Sequence, residues 1–484
     1  MSAIDEIREA RLKKLELLKK SGVDPYPAES KRELSLAEAV EKFAELEKSG
    51  KEFWLAGRIM SIRGQGAIIF LTLYDGTGSF QGLLKKDTLG AGKLDFFNQV
   101  ADIGDFVEVR GKFLTTKRGE KSVEASDWRM LSKSLLPLPE KWHGLQDIEE
   151  RFRKRYLDIL MDPEIKELLL KKAKFWETTR NFMKSKGFLE VETPTLEVTT
   201  GGAEATPFAT YNEDFKLPLY LRISIGELWQ KRLMAAGLEK TFEIGRAYRN
   251  EGSDANHLQE FTNMEFYWAY ANYEDGMKLV EELYKKIALD VFGTTKFETR
   301  GHKFDLGGEW PRIDYRETVK KETGIDVLSA SFDEVKKKLD SLKVEYDGNT
   351  MERLVDTLWK YCRRKISGPV FLTGHPKLVS PLSKSQPGNP ELTERFQVII
   401  AGSEVGNGFS ELNDPADQAE RFKAQQELIK AGDKEAMMPD MEFVEMLEYG
   451  MPPTCGFGFG EMLFAFLSDK PIRETQYFPL MRPK

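Results

Sequence analysis

The period of apolar positions changes along this chain, and the changes divide it. Residues 4–20 place Ile4, Ile7, Leu15 and Leu18 on one face of a predicted helix, which Gly22 and Pro25 stop. Its opposite face is rich in Lys and Arg, and reads as well for a solvated surface as for an RNA contact. Ser35, with Glu38 three residues on, forms a capping box that starts a second helix. From Phe53 to about Leu131 the period shortens to two, in five runs: FWLAGRIMSIR, AIIFLTLYD, SFQGLL, DFVEVRGKFL and SVEASDWRML. Turns fall at Asp75-Gly76-Thr77-Gly78 and Lys117-Arg118-Gly119-Glu120, and a helical piece separates the third and fourth runs. The expected organisation is a helical extension (1–50), a β domain (51–135), a Pro-punctuated linker (136–150) and a larger domain (151–484) carrying an insertion around 296–350.

Five strands with that helix read as an OB-fold barrel. Such a barrel binds single-stranded nucleic acid by stacking bases on aromatic rings and pairing their edges with polar side chains. Arg63, Phe70 and Gln81 supply a cation, a ring and an amide for that purpose. Taken singly, each also reads as barrel packing or plain surface.

In the larger domain a long helix starts at Pro163, with Ile165, Leu168, Leu169, Ala173, Trp176 and Phe182 periodic along it, and ends at Gly187. Phe188 to Leu196 then reads as a strand broken by Pro194. The loop TTGGAEATPF (199–208) has glycines, Gly202 among them, that let the backbone approach a ligand. Glu227 opens the next helix, where an acid also suits the helix dipole. The richest segment runs from Thr241 to Ala271. Its flanks, Phe242 to Ile244 and Thr262 to Trp268, alternate as paired strands do. The loop between them carries Arg249, Asn250, Glu251, Asn256, His257 and Gln259, more hydrogen-bonding capacity than a connection needs. An Arg at a strand end offers a fork that matches a phosphate or carboxylate, and Phe261 offers a face to a base. Glu265 and Tyr267, two apart on one strand face, suit an ammonium group. An Arg-x-Glu hairpin is also a common surface ion pair.

Composition narrows the class. With 484 residues, 40% hydrophobic and 31% charged, the chain is an ordinary folded protein of two or three domains. A net charge of −7 means that any RNA contact uses local basic surface. Two cysteines, Cys362 and Cys455, exclude a disulfide framework and fit a reducing cytoplasm; four histidines without ligand spacing argue against a structural metal. No apolar run approaches the roughly 18 residues of a membrane span, and the charged N-terminus does not read as a signal peptide.

FEIGRAYRNEG and EFTNMEFYWAY together resemble motif 2 of the class II aminoacyl-tRNA synthetases, in detail the lysine-type members. The resemblance runs from Ile4 to the C-terminus. The helix and strand at 163–196 resemble motif 1, which builds the family's homodimer interface. SPLSK and TERFQVIIAGSEVGNGFSELND follow the lysine-type pattern, and CGFGFGEMLFAFLSDKPIRETQYFPLMRPK resembles motif 3. It implies an α+β protein, an anticodon-binding OB-fold followed by a catalytic domain on a mainly antiparallel sheet flanked by helices. It implies activation of L-lysine by ATP with Mg²⁺ and transfer of lysine to tRNA(Lys). Arg249 and Glu251 then act in catalysis; with His257, Phe261 and Glu404 they hold ATP. Gly202, Glu227, Glu265, Tyr267, Asn407 and Glu411 hold lysine, and Arg63, Phe70 and Gln81 read the anticodon.

Two positions depart from the family pattern. Met462 stands where motif 3 carries an Arg for the terminal phosphate, and Gln397 stands where a second acid joins Glu404 on Mg²⁺. Three alternatives therefore stay open: an aspartyl- or asparaginyl-type synthetase, whose pocket would present cations; a lysyl-transferase acting on protein, which would not need the barrel; and a catalytically weakened, synthetase-like tRNA-binding protein.

Overall fold

Strands whose side chains alternate between an apolar interior and a polar exterior close into a barrel between residues 52 and 132 of this computed structural model, which describes residues 2–483 apart from 65, 140–144, 204, 253, 255, 256, 347–349, 431 and 433–435. Two compact units form, Met1–Met161 and Asp162–Lys484.

In the first unit, helix α1 (Ala3–Lys20) precedes strands β1 (Glu52–Arg63), β2 (Ile68–Tyr74), β3 (Ser79–Lys85), β4 (Phe106–Thr115) and β5 (Lys121–Ser132). The closed barrel has the order β1-β2-β3-β5-β4, with β3 and β5 parallel and the other described pairs antiparallel. On β2, Ile69, Leu71 and Leu73 point inward and are fully buried, while Phe70 and Thr72 point out. Each such inward side chain contributes about 1.5–3 kcal/mol relative to exposure. Gly111 is required for closure, because a methyl group there would lie 2.0 Å from the Glu124 carbonyl oxygen. The capping box at Ser35 and Glu38 is formed.

One expected face is corrected. Ile4 and Ile7 of α1 are exposed. The helix docks instead through Leu18 and through the buried Arg11, whose guanidinium donates to Ser134 Oγ and to the carbonyls of Leu136 and Ile103. Those three acceptors outweigh the pull of two isoleucines in the first turns of the helix.

The second unit is built on an eight-stranded sheet. Its elements in chain order are α2 (Pro163–Ser185), β6 (Leu189–Glu190), α3 (Glu227–Ala235), β7 (Lys240–Tyr248), β8 (Glu260–Ala269), α4 (Tyr273–Ile287), β9 (Arg312–Asp314), α5 (Met351–Arg363), β10 (Val370–Thr373), β11 (Arg395–Ile400), β12 (Ser403–Ser410), β13 (Thr454–Gly460) and α6 (Met462–Leu467). The strand order is β9-β10-β11-β12-β13-β8-β7-β6, antiparallel except for the edge pairs β9–β10 and β6–β7. The strand expected over 188–196 is split. Leu189–Glu190 joins the edge of the large sheet, whereas Leu196–Glu197 joins a separate three-stranded sheet. Pro194 lies between them and withholds the N–H that a continuous ladder needs.

One face of the large sheet is covered by α2 and α4. Phe266, Phe396, Phe457 and Phe459 pack there with Phe175, Leu283 and Tyr284. Phe396 and Phe457 stack with centroids 5.5 Å apart, and Tyr284 donates its hydroxyl to the Val405 carbonyl at 2.6 Å. Residues 315–372 bury a core of their own around Tyr315, Val335, Leu358 and Trp359. The other face of the sheet is left open to a cavity.

Candidate functional site

Period-two strands carry polar groups to that cavity. On β8, Met264 and Phe266 go to the core, so Glu265 and Tyr267 go to the opposite face. Their neighbour β13 has Phe457 and Phe459 on the core side and Gly456, Gly458 and Gly460 beside the cavity. Register pairs Glu265 with Gly458 and Tyr267 with Gly456. A methyl group at 456 would lie 2.1 Å from Glu411 Oε1 and 2.7 Å from the Tyr267 ring, so the glycines make the room that the acids and the phenol occupy.

The cavity is about 570 Å³ in volume, and Arg249, Glu251, His257, Phe261, Gly202, Glu227, Glu265, Tyr267, Gln397, Glu404, Asn407 and Glu411 all line it. These candidates of the larger domain are thus brought to one hollow, whereas Asn250 and Gln259 of the same loop do not line it. Asn256 lies outside the described residues. Arg63, Phe70 and Gln81 belong to the barrel: Arg63 on β1 sits directly across from Phe70 on β2, and Gln81 on β3 faces Thr72. Phe70 is half-buried and lies outside the barrel's core, and Gln81 donates to Ser122 Oγ at 2.7 Å.

At one end of the cavity the acids gather. Glu265 accepts from the Ile225 N–H at 2.8 Å and from the Tyr267 hydroxyl at 3.2 Å. Burial, and then the charge of Glu227, push the Glu265 carboxyl up to about 7. Burial raises Glu411 well above the carboxylate range despite the Lys231 ammonium beside it. Tyr267 is raised well above the usual phenol by burial and by the three carboxylates, so it stays a neutral donor. Gly202, at a φ of +88°, packs so tightly on Glu227 that a methyl group would fall 2.7 Å from Glu227 Oε2. This end of the cavity is lined by three carboxyl groups and a phenol.

Toward the other end, the Arg249 guanidinium lies 5.2 Å from the centroid of the Phe261 ring. The loop backbone is tied by Arg249 N–H to Gln259 O at 2.8 Å and Asn250 N–H to Thr206 O at 2.8 Å. His257 turns its ring to the Asp254 carboxylate. Met462, at the start of α6, is half-buried against Leu258, Ala465 and Ile472 with Phe261. Glu461 beside it is fixed: it accepts from the Thr262 N–H at 2.7 Å and from Gln476 at 2.9 Å, and pairs with the buried Lys172.

Gln397 donates to Glu404 at 2.8 Å, and Arg363 Nη1 lies 3.7 Å from the same carboxylate. Gln397 Oε1 is buried and faces the His375 side chain. Glu404 offers one carboxylate and Gln397, with its amide turned over, would offer one oxygen beside it, a pair that fits a Mg²⁺ ion taking its remaining oxygens from phosphates and water. Among the described residues no group of three or more His, Cys, Asp and Glu is placed to hold a metal.

Sequence reasoning missed Lys231 and the polar face of α5, from which Arg353, Lys360 and Arg363 reach the cavity. Lys231 follows Glu227 by four residues, a spacing that ordinarily marks a surface ion pair.

Comparison with known proteins settles the family. Residues 147–482 match the model of tRNA synthetases class II (D, K and N), and residues 53–131 match that of the OB-fold nucleic acid binding domain. The chain belongs to the class II tRNA synthetases. It is similar over nearly its whole length to curated members named lysine–tRNA ligase. That of Thermotoga maritima is 42% identical over 99% of this chain and 97% of its own length. That of Roseiflexus sp. is 42% identical over 99% of each chain, and that of Moorella thermoacetica 42% over 100% and 99%. As a class II synthetase, the chain has the fold its pattern predicted: a five-stranded barrel and a large, mostly antiparallel sheet with helices.

Proposed function

We propose that this synthetase activates L-lysine with ATP and transfers it to tRNA(Lys). The observation that carries the reading is the gathering of Glu227, Glu265, Tyr267 and Glu411 at one end of a cavity whose other end holds Arg249 and Phe261. An aspartate or asparagine side chain would meet unpaired buried carboxylates there, which costs several kcal/mol on the order of a lost charged hydrogen bond. The barrel, matched by a nucleic-acid-binding model, supports tRNA over protein as the acceptor.

In the reaction, a lysine carboxylate oxygen attacks the α-phosphorus of ATP, the bond to the bridging oxygen breaks, and pyrophosphate leaves. The 3′-terminal hydroxyl of tRNA then attacks the lysyl carbonyl, and AMP leaves. No protein nucleophile is needed, so catalysis is positioning and charge stabilisation. Arg249 offsets the α-phosphate charge and orients the substrate carboxylate. Phe261 and the main chain at His257 hold adenine, and Glu251, which lines the same cavity, joins Arg249 in holding ATP for the reaction. Glu265 and Tyr267 with Glu227 and Glu411 take the two ammonium groups, while Gly202 and Asn407 line the same pocket. Glu404 and Gln397 would hold Mg²⁺, which offsets phosphate charge when bound.

A homodimer is supported by exposed Leu189 and Leu196, apolar residues in the segment that resembles motif 1. The role as a tRNA ligase supports a cytoplasmic location; among the described residues no helix is long and apolar enough to cross a membrane. The deciding experiment is ATP–pyrophosphate exchange with each amino acid in turn. Exchange that depends on lysine, followed by charging of tRNA(Lys), is expected; exchange driven by aspartate or asparagine would overturn the reading.

A further inference from the structure

Lys231 is the one ammonium group buried against the amino-acid end of the cavity, among the described residues. It is 1% exposed, on the side of α3 away from solvent. Its Nζ lies 2.8 Å from Glu227 Oε1 and 2.5 Å from Glu411 Oε2. Around it stand the rings of Phe409, Phe443 and Tyr267, with centroids 5.3, 5.8 and 6.0 Å away. Glu227 and Glu411 line the cavity, but Lys231 does not. It therefore stands behind the carboxylates, where it touches them without touching what they bind.

Stability alone is a poor reason for such an arrangement. A buried ion pair loses most of its Coulombic gain to desolvation, and apolar residues of similar volume commonly do as well. Burial does pull the Lys231 ammonium down, but Glu227 and Glu411 outweigh it and hold the group raised, so it is charged throughout the neutral range. The charges facing it are Glu227 from its own helix, Glu411 from the segment after β12 and, through Tyr267, Glu265 from β8. On the flank of α3, Arg232 is already paired with Asp440 at 3.0 Å.

Three carboxylates in one buried pocket repel one another and gain protons. With all three ionised, one fixed cation among them leaves two negative charges unmatched. That is the number of ammonium groups on lysine.

We propose that Lys231 is a positioning residue, an internal counter-ion that aligns Glu227 and Glu411 and lowers the cost of ionising them, so that the pocket, once substrate has driven off its protons, presents two unmatched negative charges to the α- and ε-ammonium groups. This rests on the lysine reading above. It assigns specificity to charge count as well as to shape: an amino acid with one ammonium leaves a buried carboxylate unpaired.

The test uses the full chain in lysine-dependent ATP–pyrophosphate exchange between about pH 6 and pH 9, on the parent, Lys231→Gln and Lys231→Arg. In Lys231→Gln the lysine KM should rise by about tenfold or more at neutral pH. The acid limb of kcat/KM should move up by about one pH unit, since one unit of carboxyl shift is tenfold in ionisation; kcat should change far less. Lys231→Arg keeps the charge and should keep the parent's acid limb while its KM rises through displaced carboxylates. It carries the test if the Gln variant fails to fold. An unchanged KM and acid limb in folded Lys231→Gln, a fall in kcat at constant KM, or an acid limb that moves equally in Lys231→Arg would overturn the proposal. A parent without lysine-dependent exchange would instead overturn the reading of the substrate.

Discussion

Glu265 on β8 pairs with Gly458 on β13, and a methyl group at 458 would come within 2.8 Å of the Glu265 Cγ. The glycine is therefore the floor under the carboxylate. Gly458 does not need a left-handed backbone, so its replacement acts by displacement and not by strain.

Gly458→Ala should push Glu265 away from Tyr267 and from the Ile225 N–H, because the new carbon has no other place to go. Misplacement of a binding group by about 1 Å can cost up to about 10²-fold. The lysine KM should rise by that order while the melting temperature shifts only slightly, since the core side of β13, with Phe457 and Phe459, is untouched. A normal KM in the Ala variant would show that Glu265 is not a lysine contact.

The pocket acids also set a pH dependence. Glu265 is pushed up to about 7 and Glu411 well above its ordinary value, both first by burial. Ammonium groups favour the ionised carboxylates, so lysine must expel the protons that the empty pocket holds. Its KM should fall as pH rises through about 7 and level off above, until the substrate amine itself loses its proton. The same raised values mean that these acids favour the empty fold most at low pH, a contribution lost as pH climbs from 4.5 toward 7. Calorimetry in buffers of different ionisation enthalpy should register proton release on binding; proton uptake would contradict the assignment.

Much of this site was legible in the chain because strand period is unambiguous. GFGFG puts phenylalanines on one face and glycines on the other whatever the fold, and MEFY does the same for Glu265 and Tyr267. What could not be read was the partner across each strand. Lys231 was invisible for another reason: Glu-x-x-x-Lys on a helix is the commonest surface ion pair, and only burial distinguishes it. Periodicity misplaced the docking face of α1 because it weighs Ile4 and Ile7 by hydropathy, whereas the contact is a guanidinium satisfied by Ser134, Leu136 and Ile103. The arginines of α5 were missed since that helix follows a stretch that reads only as an insertion.

The barrel gives a prediction independent of the cavity. Phe70 is directed outward, opposite Arg63, and is absent from the barrel core. Phe70→Ala should remove a base-stacking contact of about 1–3 kcal/mol, weakening tRNA binding by up to about 10²-fold. Lysine and ATP should bind as before. A loss of barrel stability, measured by thermal unfolding, in place of a loss of tRNA affinity would mark the ring as packing.

Met462 supplies no charge, yet the cavity it faces is not short of cations. Arg249 lines it from the loop after β7, and Arg353, Lys360 and Arg363 line it from α5. Arg473 and Lys384 are engaged elsewhere: Arg473 contacts Met481 Sδ, and Lys384 donates to Asn413. Arg363, 3.7 Å from Glu404, is the best placed to meet the departing pyrophosphate beside the proposed ion site. Removal of one well-placed electrostatic donor typically costs about 10²–10³ in rate, so Arg363→Gln should slow lysine-dependent exchange by about that factor with little change in lysine KM. Met462→Arg, which adds a charge to a site already supplied, should alter the rate by less than about tenfold. A rise of about 10² or more in Met462→Arg, with Arg363→Gln near normal, would show that the phosphates lack a cation in the native chain and that Met462 limits the enzyme.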